Sequence, residues 1–204
     1  MSEQIQQKPE PGSMSNEQKR HRLETEAIPL MDLIYSVARR MVGDEARAED
    51  LVQETYLRAF RSIEQYTPGT NIKAWLLTIL RSAYIDSSRH QMARGGTHEQ
   101  LPHDIQSPLE RTDMAIDAQK FMSVLDVMVD DDIRKAMLAV PDVYREAFVM
   151  VVIAELAYKE AASVLGVQEG TVKSRVFRAC QILKDKLWKY AVERRLGAGG
   201  EGGK

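Results

Sequence analysis

Between Tyr158 and Phe177 the chain reads YKEAASVLGVQEGTVKSRVF, and its second half carries Thr171, Lys173, Ser174 and Arg175, with Arg178 just beyond. Hydroxyl, ammonium and guanidinium groups on the outward side of a helix donate hydrogen bonds to phosphate oxygens and to base edges in a DNA groove. A second set lies in NIKAWLLTILRSAYIDSSRHQMAR, residues 71–94, where Trp75 and Tyr84 mix with Lys73, Arg81, Arg89 and Arg94. Aromatic rings beside cations suit melted or single-stranded nucleic acid, whose exposed bases stack while its phosphates need positive charge. Trp75 falls on the apolar stripe of that helix and is read as core. Arg81, Asp86 and Arg89 are the better surface candidates. A third set, AEDLVQETYLRAFR over Ala48–Arg61, turns Glu49, Asp50, Gln53, Glu54, Arg58 and Arg61 outward. Its pattern alone describes a solvated helix face.

Helices must position these groups, and the apolar spacing supplies them. After Pro29, Leu30, Leu33, Ile34, Val37, Ala38 and Met41 recur on one helical face. Gly43 and Asp44 punctuate it, with Asp44 as the N-cap of a second helix whose stripe is Ala48, Leu51, Val52, Thr55, Ala59 and Phe60. TPGTN, residues 67–71, breaks that helix. A third carries Ile72, Trp75, Leu76, Ile79, Leu80 and Ala83 inward. Further on, Asp132 reads as an N-cap before Ile133, Ala136, Met137 and Val140; Pro141 ends that helix and Asp142 caps the next. The stretch from Tyr158 then fits a helix-turn-helix. Ala162 and Gly166 are small where the helices cross, Gly166 allows the positive φ of an abrupt helix end, and Val172 packs beneath. The second helix starts near Gln168, and its N-terminus can meet a groove or a phosphate. An amphipathic hairpin with a solvated basic face would show the same spacing.

The chain has 204 residues and a formal net charge of -2, which gives it no overall attraction to nucleic acid. Between Lys159 and Arg195, however, nine bases face four acids, a local excess of +5. Charge interactions are screened beyond roughly 8–10 Å, so a basic face works on an acidic protein. From Thr97 to Asp132 nine acids face two bases, about -7. That segment contains Gly, Pro and His and reads as a linker with a helical stretch over roughly 109–129. The expected architecture is all-α: a disordered extension over 1–23, a helical unit over 24–94, an acidic flexible linker over 95–131, a helix-turn-helix unit over 132–195, and a flexible tail over 196–204. No apolar run reaches the roughly 20 residues of a membrane span, and the N-terminus lacks a signal-like apolar region, so a cytoplasmic protein is expected. Cys180 is the single cysteine, which excludes an internal disulfide. His98, His103 and Asp104 read as solvated loop residues, and no metal or cofactor is expected. There is no Gly-rich phosphate loop or nucleophile elbow, and so no catalytic residue to name.

Taken together, AEDLVQETYLRAFR, GTNIKAWLLTILRSAYIDSSR and YKEAASVLGVQEGTVKSRVFRA, in this order and spacing, closely resemble the extracytoplasmic-function (ECF) family of bacterial sigma factors, of the sigma-70 class. The resemblance covers about Glu24 to Tyr190. AIPLMDLIYSVARRM and DDDIRKAMLAVPDVYREAF look most like the redox-stress subgroup. It implies a sigma2-like unit followed by a sigma4-like unit. Asp50, Gln53, Glu54 and Arg58 match the family's surface for the β′ coiled coil of RNA polymerase. The loop from Tyr66 to Lys73, with Asn71, matches the one that captures a flipped base of the -10 element. Arg81, Ser82, Asp86 and Arg89 match the helix along the melted strand. Thr171, Lys173, Ser174, Arg175 and Arg178 fall on the helix that reads the -35 duplex. The implied partners are core polymerase (β′ coiled coil and β flap), promoter DNA and an anti-sigma factor. The chain departs from the family at Ala161, where Ile is usual, at Leu156 or Ala157, often Gly, and at Cys180, where many carry Arg; these bear on the -35 preference.

Three functions fit these features: a promoter-specificity subunit of RNA polymerase, a stand-alone helix-turn-helix regulator, and a mimic that sequesters an anti-sigma factor. The basic, aromatic third helix favours the first. Catalysis of RNA synthesis would then belong to the polymerase.

Overall fold

The computed structural model describes residues 14–93 and 130–198. The acidic segment with its candidate helix over 109–129, Arg94, His98, His103 and Asp104, and residues 1–13 and 199–204 lie outside the described residues. Among the described residues every regular element is helical.

The first helix, α1 (Asn16–Arg22), begins earlier than the apolar pattern suggests. Its signal is polar: Ser15 Oγ accepts from the Gln18 N–H while the Gln18 side chain accepts from the Ser15 N–H, a reciprocal cap. A wide turn over Leu23–Ala27 and a tight one around Pro29 lead into α2 (Met31–Val42). Gly43 closes α2 at φ +70°, its N–H on the Arg39 carbonyl at 2.9 Å. Asp44 Oδ1 then accepts from the Arg47 N–H at 2.9 Å and starts α3 (Glu45–Ser62). Of the expected stripe, Ala48, Leu51, Val52, Thr55 and Ala59 are buried and Phe60 is half-buried. Tyr56 donates its phenol to the Ala27 carbonyl at 2.9 Å, pinning α3 to the entry of α2. Burial, and then the Asp32 carboxylate, push that phenol up to about 12, so it remains a donor. The long helix α4 (Ile72–Ala93) follows, and Asn71 caps it by accepting from the Ala74 N–H at 3.1 Å.

The second unit contains α5 (Asp130–Leu138), α6 (Asp142–Phe148), α7 (Tyr158–Leu165) and α8 (Glu169–Ala198). Asp132 lies inside the first turn of α5, not before it. Pro141 takes the N-cap position of α6, and Asp142 turns instead to Arg145, three residues on. The apolar run after Phe148 forms a wide-pitched turn over Val149–Ile153, most of it buried. Gly166 ends α7 at φ +67°. No atom lies within 4 Å of where its Cβ would be, so the need there is conformational freedom, not a close crossing. Val172, fully buried, holds the inner side of α8 as expected.

The two units share one hydrophobic core. α2 lies against α5 and residues 149–153, and α4 against α7. Leu138, 40% exposed, covers Gly43 so closely that a Cβ there would sit 2.5 Å from Leu138 Cδ2. Tyr84 of α4 is buried, and its hydroxyl lies 3.0 Å from Asp142 Oδ2 and 3.4 Å from Arg145 Nη2. Burial foremost, and then Asp142, raise its phenol above the ordinary value. Arg145 is only 6% exposed; it also donates to the Val140 carbonyl at 2.9 Å and ion-pairs with Asp142.

Candidate nucleic-acid interface

On α8 the expected cations divide by exposure. Lys173 and Arg178 are exposed, while Thr171, Ser174 and Arg175 are half-buried beside them. Lys173 pairs with Glu169 one turn earlier at 2.6 Å and lies 5.5 Å from the centre of the Tyr158 ring. Both partners of that ion pair are well exposed, so exchanging the carboxylate for a phosphate costs little. Ser174 Oγ donates to the Thr171 carbonyl at 2.9 Å, which fixes the hydroxyl near the helix start. The spacing of basic residues on α8 points to Lys173 and Arg178; it does not reveal that Tyr158 and Glu169 flank the lysine.

On α4 and the loop before it, geometry adds roles the sequence does not express. Tyr66 donates its hydroxyl to the Thr70 carbonyl at 2.7 Å, and Thr70 Oγ1 donates to the Thr67 carbonyl at 2.7 Å. These bonds fold residues 66–71 into a tight turn. Trp75, read as core, is half-buried and tilts against Tyr66 with ring centres 5.3 Å apart. Arg22 of α1 covers the Tyr66 ring at 5.0 Å and donates to the Tyr66 carbonyl at 3.2 Å. Nothing in the sequence around Arg22 signals this, because the contact spans the polar N-terminal stretch and a distant loop.

The six residues assigned to melted DNA separate into three groups. Asn71 Nδ2 donates to Glu160 Oε1 at 2.6 Å, Lys73 Nζ to the Glu155 carbonyl at 3.3 Å, and Arg81 Nε to Glu146 Oε2 at 2.8 Å. All three partners belong to the second unit. Asn71, first, and then the Ala157 N–H hold the Glu160 carboxyl below the ordinary carboxylate range. Ser82 and Arg89 remain exposed. Asp86 instead pairs with Arg58 at 2.7 Å.

Arg58 belongs to the acidic face of α3, where it also binds Glu54 at 2.7 Å. Hydrogen bonds to Glu54 and then Asp86 raise its already high pKa. It therefore ties the outward face of α3 to α4. Asp50 and Gln53 are exposed on that face. Leu57, one turn beyond Gln53, is 52% exposed, and no apolar spacing in the sequence marks it because it lies off the apolar face.

Cys180 is 6% exposed, and burial pushes its thiol up to about 11. A thiol so placed is a packing group, since the thiolate is the reactive form. Among the described residues no cluster of His, Cys, Asp or Glu forms a metal site, and no helix is long and apolar enough to cross a membrane.

Comparison with known proteins follows this division. Residues 29–94 match the family model for Sigma-70 region 2, and residues 130–183 that for Sigma-70, region 4. The chain is 37% identical over 164 residues to the ECF RNA polymerase sigma factor SigE of Mycolicibacterium smegmatis. That alignment takes in 79% of this chain and 60% of SigE, less than two thirds of the relative's length. It is 32% identical over 159 residues to the ECF sigma factor SigM of Bacillus subtilis, covering 76% of this chain and 88% of SigM. Among solved structures, the sigma factor RpoE in complex with the anti-sigma factor NepR from Bartonella quintana superposes with a TM-score of 0.63 at 26% identity. The superposition covers 81% of this chain and 96% of that one.

Proposed function

Because this chain belongs to the ECF family of RNA polymerase sigma factors, we propose that it binds core polymerase, reads a -35 and a -10 promoter element, and promotes melting at the second. The observation that carries this is the distribution of its surfaces: cationic helices α4 and α8 stand on two units of one chain, matched to regions 2 and 4. The face of α3 carries Asp50, Gln53, Glu54 and Arg58 for the β′ coiled coil, with the exposed Leu57 adding apolar area beside them. The second unit meets the β flap. On α8, Lys173 and Arg178 reach the -35 duplex first, with Thr171, Ser174 and Arg175 beside them. A bidentate arginine on guanine contributes about 1–3 kcal/mol of discrimination. Asn71 and Lys73 serve the extruded base of the -10 element, and Arg81, Ser82, Asp86 and Arg89 the strand. Flipping a base costs a few kcal/mol of stacking, which such contacts offset. RNA synthesis itself is the polymerase's chemistry, and the protein works in the cytoplasm. An anti-sigma factor is a further partner, as NepR is for RpoE.

Run-off transcription with core polymerase on a randomised promoter library tests this reading. Selected templates should share two short blocks at a fixed spacing. Arg175→Ala relaxes the upstream block. Asn71→Ser keeps a cap for α4 but removes the amide donor, and weakens the downstream block. Equal effects of both variants on both blocks would count against the assignment.

A further inference from the structure

The loop assigned above to the extruded -10 base has an exposed tip and a buried root. Residues 67–71 are all exposed, whereas Tyr66 is 4% exposed. The tip shapes itself: Pro68 and Gly69, the latter at φ +81°, form a turn closed by the Thr70 N–H on the Thr67 carbonyl at 3.3 Å. Asn71, capping α4, fixes the far end. The near end rests on Tyr66, where the backbone leaves a short helical turn (Ile63–Gln65) and becomes extended. The Tyr66 hydroxyl reaches across the loop to the Thr70 carbonyl, and its ring tilts against Trp75 of α4. One side chain thus joins both ends of the loop to the helix that follows.

That side chain is held from outside by α1. Arg22 sets its guanidinium 5.0 Å from the centre of the Tyr66 ring and donates from Nη2 to the Tyr66 carbonyl at 3.2 Å. Its Nε donates to Glu26, one turn on, at 3.1 Å, which aims the fork. Lys19 pairs with Glu64 at 3.1 Å, and the Met14 N–H donates to the same carboxylate at 2.8 Å, so this stretch also grips the turn before Tyr66. The match to Sigma-70 region 2 begins at residue 29, so none of these gripping groups belongs to it. Arg22 keeps only 14% of its side chain exposed, which suits a brace better than a phosphate contact.

We propose that Arg22 is a positioning residue for base capture: without touching DNA, it holds Tyr66 so that the loop over residues 66–71 is already shaped when a base is extruded toward Asn71. The proposal rests on the assignment of that loop to the -10 element. A loop ordered beforehand captures a base at lower entropic cost than one that must be ordered on binding. Arginine suits the task because its planar fork serves a carboxylate, a carbonyl and a ring face at once.

The test is run-off transcription by core polymerase with full-length wild type, Arg22→Gln, Tyr66→Phe and Arg20→Gln. Arg20, exposed on α1, repeats the charge change away from the loop. Each protein is assayed on an intact promoter and on promoters with a single abasic site at each downstream-block position, placed in the non-transcribed strand so that the template stays whole. In wild type, loss of one base should dominate. Arg22→Gln and Tyr66→Phe should transcribe the intact promoter about three- to tenfold more slowly, the range of one cation–π contact or one polar bond. On the promoter lacking that base they should match wild type, as coupled groups do in a double-mutant cycle, and their upstream-block preference should be unchanged. Arg20→Gln should match wild type on both templates. An Arg22→Gln loss of equal fold on intact and abasic promoters overturns the proposal, and so does an Arg22→Gln rate equal to wild type on the intact one. A wild type that transcribes but is sensitive at no downstream position defeats the base-capture reading itself, which separates the two failures.

Discussion

Replacing Arg145 with methionine removes a guanidinium while keeping much of its aliphatic volume. The side chain is nearly inaccessible and holds the joint between α5 and α6 from inside. It donates to the Val140 carbonyl at 2.9 Å, reaches the Met137 carbonyl and the Tyr84 hydroxyl at 3.4 Å, and pairs with Asp142. The two long contacts contribute little. The Val140 bond and the Asp142 pair are charge-assisted, at about 1.5–3 kcal/mol each. Removing one partner of a fully buried pair costs about 3–5 kcal/mol. Asp142 keeps 21% of its side chain exposed, so water recovers part of that. The expected loss is therefore about 2–4 kcal/mol. For a chain of this size that lowers Tm by roughly 4–16 °C. Thermal and urea unfolding of the full chain should both show it, and Arg178→Ala, exposed on α8, should melt like wild type. If Arg145→Met melts within about 2 °C of wild type, the guanidinium is not the group that holds this joint.

Gly43→Ala should destabilise by about 1–2 kcal/mol from the left-handed backbone alone, and more if Leu138 cannot move from its 2.5 Å approach; urea unfolding measures it. Cys180 should resist a thiol-specific reagent at neutral pH in the folded chain and react at once in denaturant, because the thiol is buried and its pKa stands at about 11. Prompt reaction of the native protein would refute its assignment as a packing group. The Glu160 carboxyl is held low in the folded chain, so its contribution is full above the ordinary carboxylate value near 4.3 and fades as pH falls through the lower folded value. Stability of wild type relative to Glu160→Gln should thus be constant at neutral pH and shrink only below about 4. A difference that grows in acid would mean that the folded chain does not hold the Glu160 carboxyl low.

The apolar stripes of α2, α3 and α4 were legible because a period of 3.6 survives in sequence whatever it packs against. Asp44 and Gly166 were legible because cap and left-handed positions impose residue type locally. What the stripes could not express is which polar face is covered. Glu146 and Glu160 look like solvated acids on short helices until α4 is laid against them. Tyr84 looks like an aromatic offered to nucleic acid, yet it is buried against Asp142 and Arg145. Helix α1 escaped because its start is encoded by a polar cap and not by apolar spacing. The acid at 142 follows Pro141 and looks like a cap, but Arg145, one turn on, competes for it and wins. Asn71 carries two demands at once, capping α4 and donating outward, and only its position at the helix start together with the contact to Glu160 separates them.

The most direct test is whether the full chain joins core RNA polymerase. Purified protein mixed with bacterial core enzyme at low salt, without an inhibitor, should co-elute with it in size-exclusion chromatography, and a charge reversal at Asp50 beside an unchanged fold should abolish the complex. A chain that elutes apart from core enzyme under those conditions contradicts the account.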